Sequence, residues 1–220
     1  MAHVMKKRFF EDWFEFVSVF LLSAATLTSA WCGAEGNLWS SAQLGALADF
    51  NENNRLILET NTKAGQMRSI DLLVFTQYTN AVAEGKTQLA EFYFKRFRAE
   101  TKPALEAWLA TKPLSNPSAP PSPFVMPEYK IALDDEVPLL RAKAERFYKL
   151  GVEANAISDR FTLLMVFFTA VLFFVGMAPK LSHQWMKNLF LSMGALIWIV
   201  GTYVMCMLPV TWTKIIVALK

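Results

Sequence analysis

The sequence predicts an all-α integral membrane protein with three transmembrane helices and an extracytoplasmic helical stalk or bundle. Three observations lead there. Three apolar stretches carry no charge, apolar residues recur at steps of three and four beyond two of those stretches, and period-two alternation and Asn-Gly hairpin signals are missing between them. A chain of 220 residues that is 54% apolar and 14% aromatic is neither disordered nor collagenous.

The stretches are residues 16–34, 161–178 and 189–208. At 1.5 Å per residue they reach roughly 27 to 30 Å, which matches a hydrocarbon core of about 30 Å. Lys6, Lys7 and Arg8 before the first stretch resemble the start of a cleavable signal peptide. Glu11, Asp12 and Glu15 offset that charge, bulky Trp31 follows Ala30, and the apolar run continues to Ala34, so an uncleaved anchor is expected. The bias of Lys and Arg in short loops orients the chain. Residues 1–15 form a cytoplasmic tail, and 179–188, with Lys180 and Lys187, form a cytoplasmic turn. Residues 35–160, nearly balanced in acids and bases, are then extracytoplasmic. In the external tail 209–220, Trp212, Ile215, Ile216 and Leu219 fall at the spacing of a short interfacial helix.

No proline precedes Pro103, so the first span can continue outward without a break. Its continuation carries the series Leu44, Leu47, Asn51, Asn54, Leu58, Asn61, Gly65, Arg68, Leu72, Phe75. A second series, Val137, Leu140, Ala144, Phe147, Gly151, Ala154, Ser158, Phe161, Met165, Phe168, Leu172, Val175, runs into the second span. Asp134, Asp135 and Glu136 suit its start, with Pro138 in the first turn. Shorter helices are expected over 87–98, with Leu89, Phe92, Tyr93 and Phe97 on one face, and over 102–110, with Leu105 and Trp108. Six prolines in 112–129 forbid helix there and predict an extended strap, with Phe124, Val125, Met126 and Tyr129 needing cover.

The segment LAEFYFKRFRAETKPALEAWLATKPLSNPSAPPSPFVMPEY at 89–129, with AWCGAEGNLW at 30–39, resembles a group of bacterial inner-membrane proteins of three spans. The resemblance covers most of residues 21–178 and implies a bacterial inner-membrane anchor with an external helical domain. It contains no catalytic motif and implies no activity.

Candidate sites follow from residue type and spacing. Asn51, Asn54, Asn61 and Arg68 form a polar seam, read in three ways: a solvated face with Phe50, Ile57 and Leu58 on its buried side, a device that fixes oligomer register, or the wall of a pore vestibule. Ala25, Ser29 and Gly33 make a small-residue ridge, and Gly194 and Gly201 lie seven apart on one face, both suited to close helix packing. Cys32 and Cys206 lie at similar depth, so a disulfide is one alternative and free buried thiols the other. Lys95, Arg96, Arg98 and Lys102 interleave with Phe92, Tyr93, Phe94 and Phe97, either as a solvated face or as a surface for lipid headgroups or an acidic partner. Hydroxyls at Ser18, Ser23, Thr26 and Thr28 either line a pore or bond their own helix.

Ionisable groups are missing from the three stretches, which argues against a proton-coupled or substrate-binding transporter. With His3 and His183 far from the external acids and no nucleophile-elbow, phosphate-loop or zinc-protease motif, an enzyme is not expected; neither is a cofactor, a metal site or nucleic-acid binding. The expected function is a non-enzymatic scaffold or accessory subunit that meets lipid, copies of itself or a larger membrane complex. The alternative is a homo-oligomeric channel.

Overall fold

The computed structural model describes the backbone of residues 2–211 and the side chains of residues 12–211. Among these the regular elements are all helical: α1 (Ala2–Ala83), α2 (Thr87–Arg96), α3 (Lys102–Ala110), α4 (Ala132–Met177) and α5 (Gln184–Met207), with single 3-10 turns at Pro123–Val125 and Ala178–Lys180. Helices α1, α4 and α5 are each long and apolar enough to cross a membrane. The expected interfacial helix of Trp212, Ile215, Ile216 and Leu219 lies outside the described residues.

Contacts divide the chain into two units, Met1–Ala48 with Tyr148–Lys220, and Asp49–Phe147. In the first, α1 turns a single stripe inward: Ser18, Leu21, Ala25, Cys32, Glu35 and Trp39 are buried, at steps of three, four or seven. The facing stripe of α4 includes Ala154, Ile157, Phe161, Leu164, Phe168, Val171 and Val175. Glycines let the helices approach. A Cβ on Gly36 would meet Phe161 Cβ at 3.6 Å, and one on Gly33 would meet Met165 Sδ at 3.3 Å. Helix α5 buries Gly194 and Gly201 among its residues, while Leu196, Ile199, Val200, Tyr203 and Val204 are exposed. A helix so apolar on its outward side is not stable against water and calls for lipid or protein cover.

Three of the four hydroxyls singled out along the first apolar stretch return to their own helix: Ser18 donates to the Phe14 carbonyl, Thr26 to Leu22 and Thr28 to Ala24, while Ser23 is exposed. Cys32 is buried, Cys206 is exposed and both are free thiols, so the disulfide alternative does not hold.

In the second unit α2, α3 and the proline-rich strap pack on α1. Phe97, Leu105 and Trp108 form the centre, surrounded by Val74, Phe75, Tyr78, Phe94, Leu109 and Met126. Phe75 meets the edges of Trp108 and Phe124 with ring centroids 5.2 and 5.4 Å apart. The Trp108 indole donates to the Pro120 carbonyl at 2.7 Å, which pins the strap. Of the strap residues expected to need cover, Val125 is exposed, while Phe124, Met126 and Tyr129 are half-buried. On α2 the buried side is Ala90 with Phe94, followed by Phe97; Leu89 and Phe92 point outward, contrary to the expected face. The helix stops at Arg96 because the chain turns at Phe97 to feed that residue into the centre.

Helix α4 begins at Ala132, earlier than expected, so Pro138 is inside the helix rather than in its first turn. The ring removes one backbone donor from a water-exposed stretch, where the freed carbonyl finds solvent. Helix α1 ends where Gly85 adopts φ +71, a left-handed position that suits a residue without Cβ.

Candidate assembly face and the polar node behind it

Within the second unit, the stripe of α1 that faces the protein is not the one the spacing suggested. Thr60, Ala64, Asp71 and Ala81 are buried, and Ile57, Met67, Val74 and Tyr78 are half-buried between them. The expected series is offset by one residue, about 100° round the helix, and apart from Phe75 points elsewhere. Asn51, Leu58, Gly65 and Leu72, at strict seven-residue spacing, form an outward row in which Leu58 is 68% and Leu72 55% exposed. A Cβ on Gly65 would meet nothing within 4 Å. Ile70 and Leu73, three residues apart, are exposed on a different face of α1.

Asn54, Asn61 and Arg68 form a second exposed row, also seven apart, beside that one. Arg68 reaches α4, where one guanidinium nitrogen donates to both oxygens of Asp134. Asn61 borders a shallow recess of about 340 Å³ with Asp134, Val137, Pro138 and Arg141. Phe50 and Ile57 are half-buried and Leu58 is exposed, so the solvated-face reading has its inner side displaced from Leu58 toward Thr60.

Behind this face sits a polar node that sequence reasoning missed. Asp71 is 1% exposed. Its Oδ1 accepts from Arg98 Nε at 3.0 Å, and its Oδ2 accepts from Arg98 Nη2 at 2.8 Å, Thr101 Oγ1 at 2.9 Å and the Tyr129 hydroxyl at 3.1 Å. Arg98 also donates to Glu100 at 2.7 Å. The hydrogen bonds that Arg98 donates to Asp71 raise its pKa, with Coulomb attraction adding to this against partial burial. Tyr129 is pushed up to about 12 by burial first, then by the Asp71 charge and the hydrogen bond to it. The phenol therefore remains a donor at neutral pH. One buried carboxylate thus joins α1, the loop before α3 and the end of the strap. An acid in register with Ala64, Met67 and Val74 was the available signal.

The same node takes Arg98 out of the basic aromatic cluster, while Lys95 and Arg96 stay on the exposed face. Arg98 turns inward to Asp71, Lys95 pairs with Glu91 one helical turn away, and the Arg96 guanidinium lies 3.3 Å from the centroid of the Phe92 ring.

The small residues singled out from sequence lie in the other unit. Ala25 is buried, Ser29 half-buried, and Gly33 faces Met165 on α4. A Cβ on Gly194 would come within 2.6 Å of Val175 Cγ2, and one on Gly201 within 3.0 Å of the Phe168 ring. Both glycines mark contacts of α5 with α4 within one chain. Among the described residues no group of three or more His, Cys, Asp or Glu is placed to hold a metal ion.

No protein-family model matches the chain, and neither curated proteins nor solved structures provide a match.

Proposed function

We propose that this chain is a non-enzymatic membrane protein that assembles with copies of itself, or with a larger membrane complex, through the outward row of α1. The observation that carries the reading is the row Asn51, Leu58, Gly65, Leu72: a seven-residue repeat with two leucines more than half exposed, one residue round the helix from the stripe that α1 uses within the chain. Such a row gives a second helix apolar knobs at Leu58 and Leu72 and a site of close approach at Gly65, while Asn51 favours one register. The bias of Lys and Arg supports a cytoplasmic N-terminus with residues 35–160 outside, and the resemblance of residues 21–178 supports a bacterial inner membrane as the setting. Water then faces the leucine row, and covering it is favourable by about 25 cal/mol per Å² of apolar surface.

Native mass spectrometry of the detergent-solubilised full chain tests this reading. The expected result is a defined oligomer, or a stoichiometric co-purifying protein, that is lost in the Leu58→Lys/Leu72→Lys variant. A monomer without a partner overturns it.

The exposed asparagines favour a second reading, a homo-oligomeric pore whose vestibule they line. Conductance of liposomes carrying the oligomer separates the two. A current altered by Asn54→Asp supports the pore, and electrically silent oligomers support the scaffold.

A further inference from the structure

A groove of about 380 Å³ runs between α4 and α5, with Leu163 and Phe167 on one wall and Leu196, Val200 and Val204 on the other. Its lining is apolar except at one end, where Arg160 stands. Arg160 is the last charged residue before the charge-free run 161–178. In a bilayer that position holds a guanidinium at headgroup level while its methylenes lie along hydrocarbon. Arg160 is exposed and forms no ion pair among the described residues. The neighbouring Asp159 carboxylate accepts from the Asn155 amide.

A groove with a single cation at one end matches an amphiphile with an anionic head and a hydrocarbon tail. From Arg160 to Phe167 it extends roughly 10 Å at 1.5 Å per residue, enough for the upper part of a fatty-acyl chain. A transmembrane helix from a second copy fits the charge pattern worse, because the carboxylates flanking that end of its spans are Glu35, buried against Thr211, and Asp159, which accepts from Asn155. We propose that this groove binds one acyl chain of an anionic phospholipid, whose phosphate takes charge-assisted hydrogen bonds from Arg160. Arginine suits that contact because its planar donor fork can bond two phosphate oxygens together.

The test uses the full chain in detergent with equal amounts of dioleoyl phosphatidylglycerol and dioleoyl phosphatidylcholine, read by native mass spectrometry. The wild type retains phosphatidylglycerol preferentially. Arg160→Gln lowers that preference about tenfold, the scale of one lost charged hydrogen bond. Val200→Trp, at an exposed wall position, fills the groove with Arg160 intact and reduces retention of phosphatidylglycerol. Arg141→Gln, a cation of the other unit, leaves both unchanged. Equal retention of the two lipids by the wild type overturns the proposal. So does an unchanged preference in Arg160→Gln, unchanged occupancy in Val200→Trp, or an equal loss in Arg141→Gln. Circular dichroism of each variant confirms retained helix, and Arg160→Lys, which keeps the charge, restores part of the preference.

Discussion

Glu35 and Thr211, 176 residues apart, are joined inside the first unit: the Thr211 backbone N–H donates to Glu35 Oε2 at 3.0 Å, and the Thr211 hydroxyl lies 3.1 and 3.0 Å from the two carboxylate oxygens. Glu35 is 1% exposed, just past the first charge-free stretch, and Cys32 and Trp39 are buried one turn to either side. The Trp39 indole donates to the Pro209 carbonyl, so α1 holds the segment after α5 at two successive turns. Replacing Glu35 by Ala leaves the Thr211 donors buried without an acceptor and costs about 1–3 kcal/mol. Thermal unfolding in detergent measures this. The double variant Glu35→Ala/Thr211→Ala should lose less than the sum of the single losses, and strict additivity would count against the latch.

Breaking the Asp71 node is expected to be more damaging. Asp71→Ala leaves Arg98, whose side chain is 23% exposed, with Glu100 as its remaining acidic partner and leaves Thr101 and Tyr129 without their acceptor. Loss of one partner of a buried pair costs about 3–5 kcal/mol, and the partial exposure of Arg98 brings this to the lower end. Hydrogen exchange should show faster opening of residues 97–109, with Asp71→Asn intermediate. Unchanged protection there would show that the node does not hold α3 in place.

The Tyr129 phenol predicts an alkaline transition. Its folded pKa of about 12 lies above the ordinary value of 10.0, so its stabilising contribution is complete below pH 10 and lost as pH rises toward 12. The unfolding midpoint should fall across that window more steeply in the wild type than in Tyr129→Phe, which has no phenol to ionise there. Parallel curves would rule out Tyr129 as the cause.

Glycine substitutions should divide by location. Gly194→Ala places a methyl 2.6 Å from Cγ2 of the stiff, β-branched Val175, well inside van der Waals contact, and forces α5 from α4 at a cost of about 1–3 kcal/mol. Gly45→Ala meets nothing within 4 Å and should stabilise its helix by about 0.5–1 kcal/mol. Denaturant midpoints compare the two, and a shared sign would refute the packing argument.

Gly65 combines both behaviours. With open space around it in the single chain, Gly65→Leu should stabilise the monomer by about 0.5–1 kcal/mol, as at Gly45, yet it fills the close-approach point of the outward row. Oligomer distributions at several protein concentrations should shift toward monomer. An unaltered distribution would place any self-contact elsewhere.

The sequence by itself determined the helices that can cross a membrane and the inward stripe of α4. Long charge-free runs and the absence of proline in α1 leave the backbone few other ways to satisfy its polar groups in an apolar setting. Every position of the second 3,4 series is buried or half-buried, and up to Arg160 the charges of α4 all lie off that series. On α1 beyond Asp49 two stripes compete, one through Leu58 and Leu72 and one through Ala64, Met67 and Val74, and spacing alone does not rank them. Tertiary structure decided between them. The aromatic residues of α2, α3 and the strap pack around Phe75 and Tyr78, and Arg98, 27 residues from Asp71, pairs with it on the second stripe. A charge pair across that separation depends on how the intervening chain returns, so local pattern does not reveal it, and its pairing turns the leucine row outward.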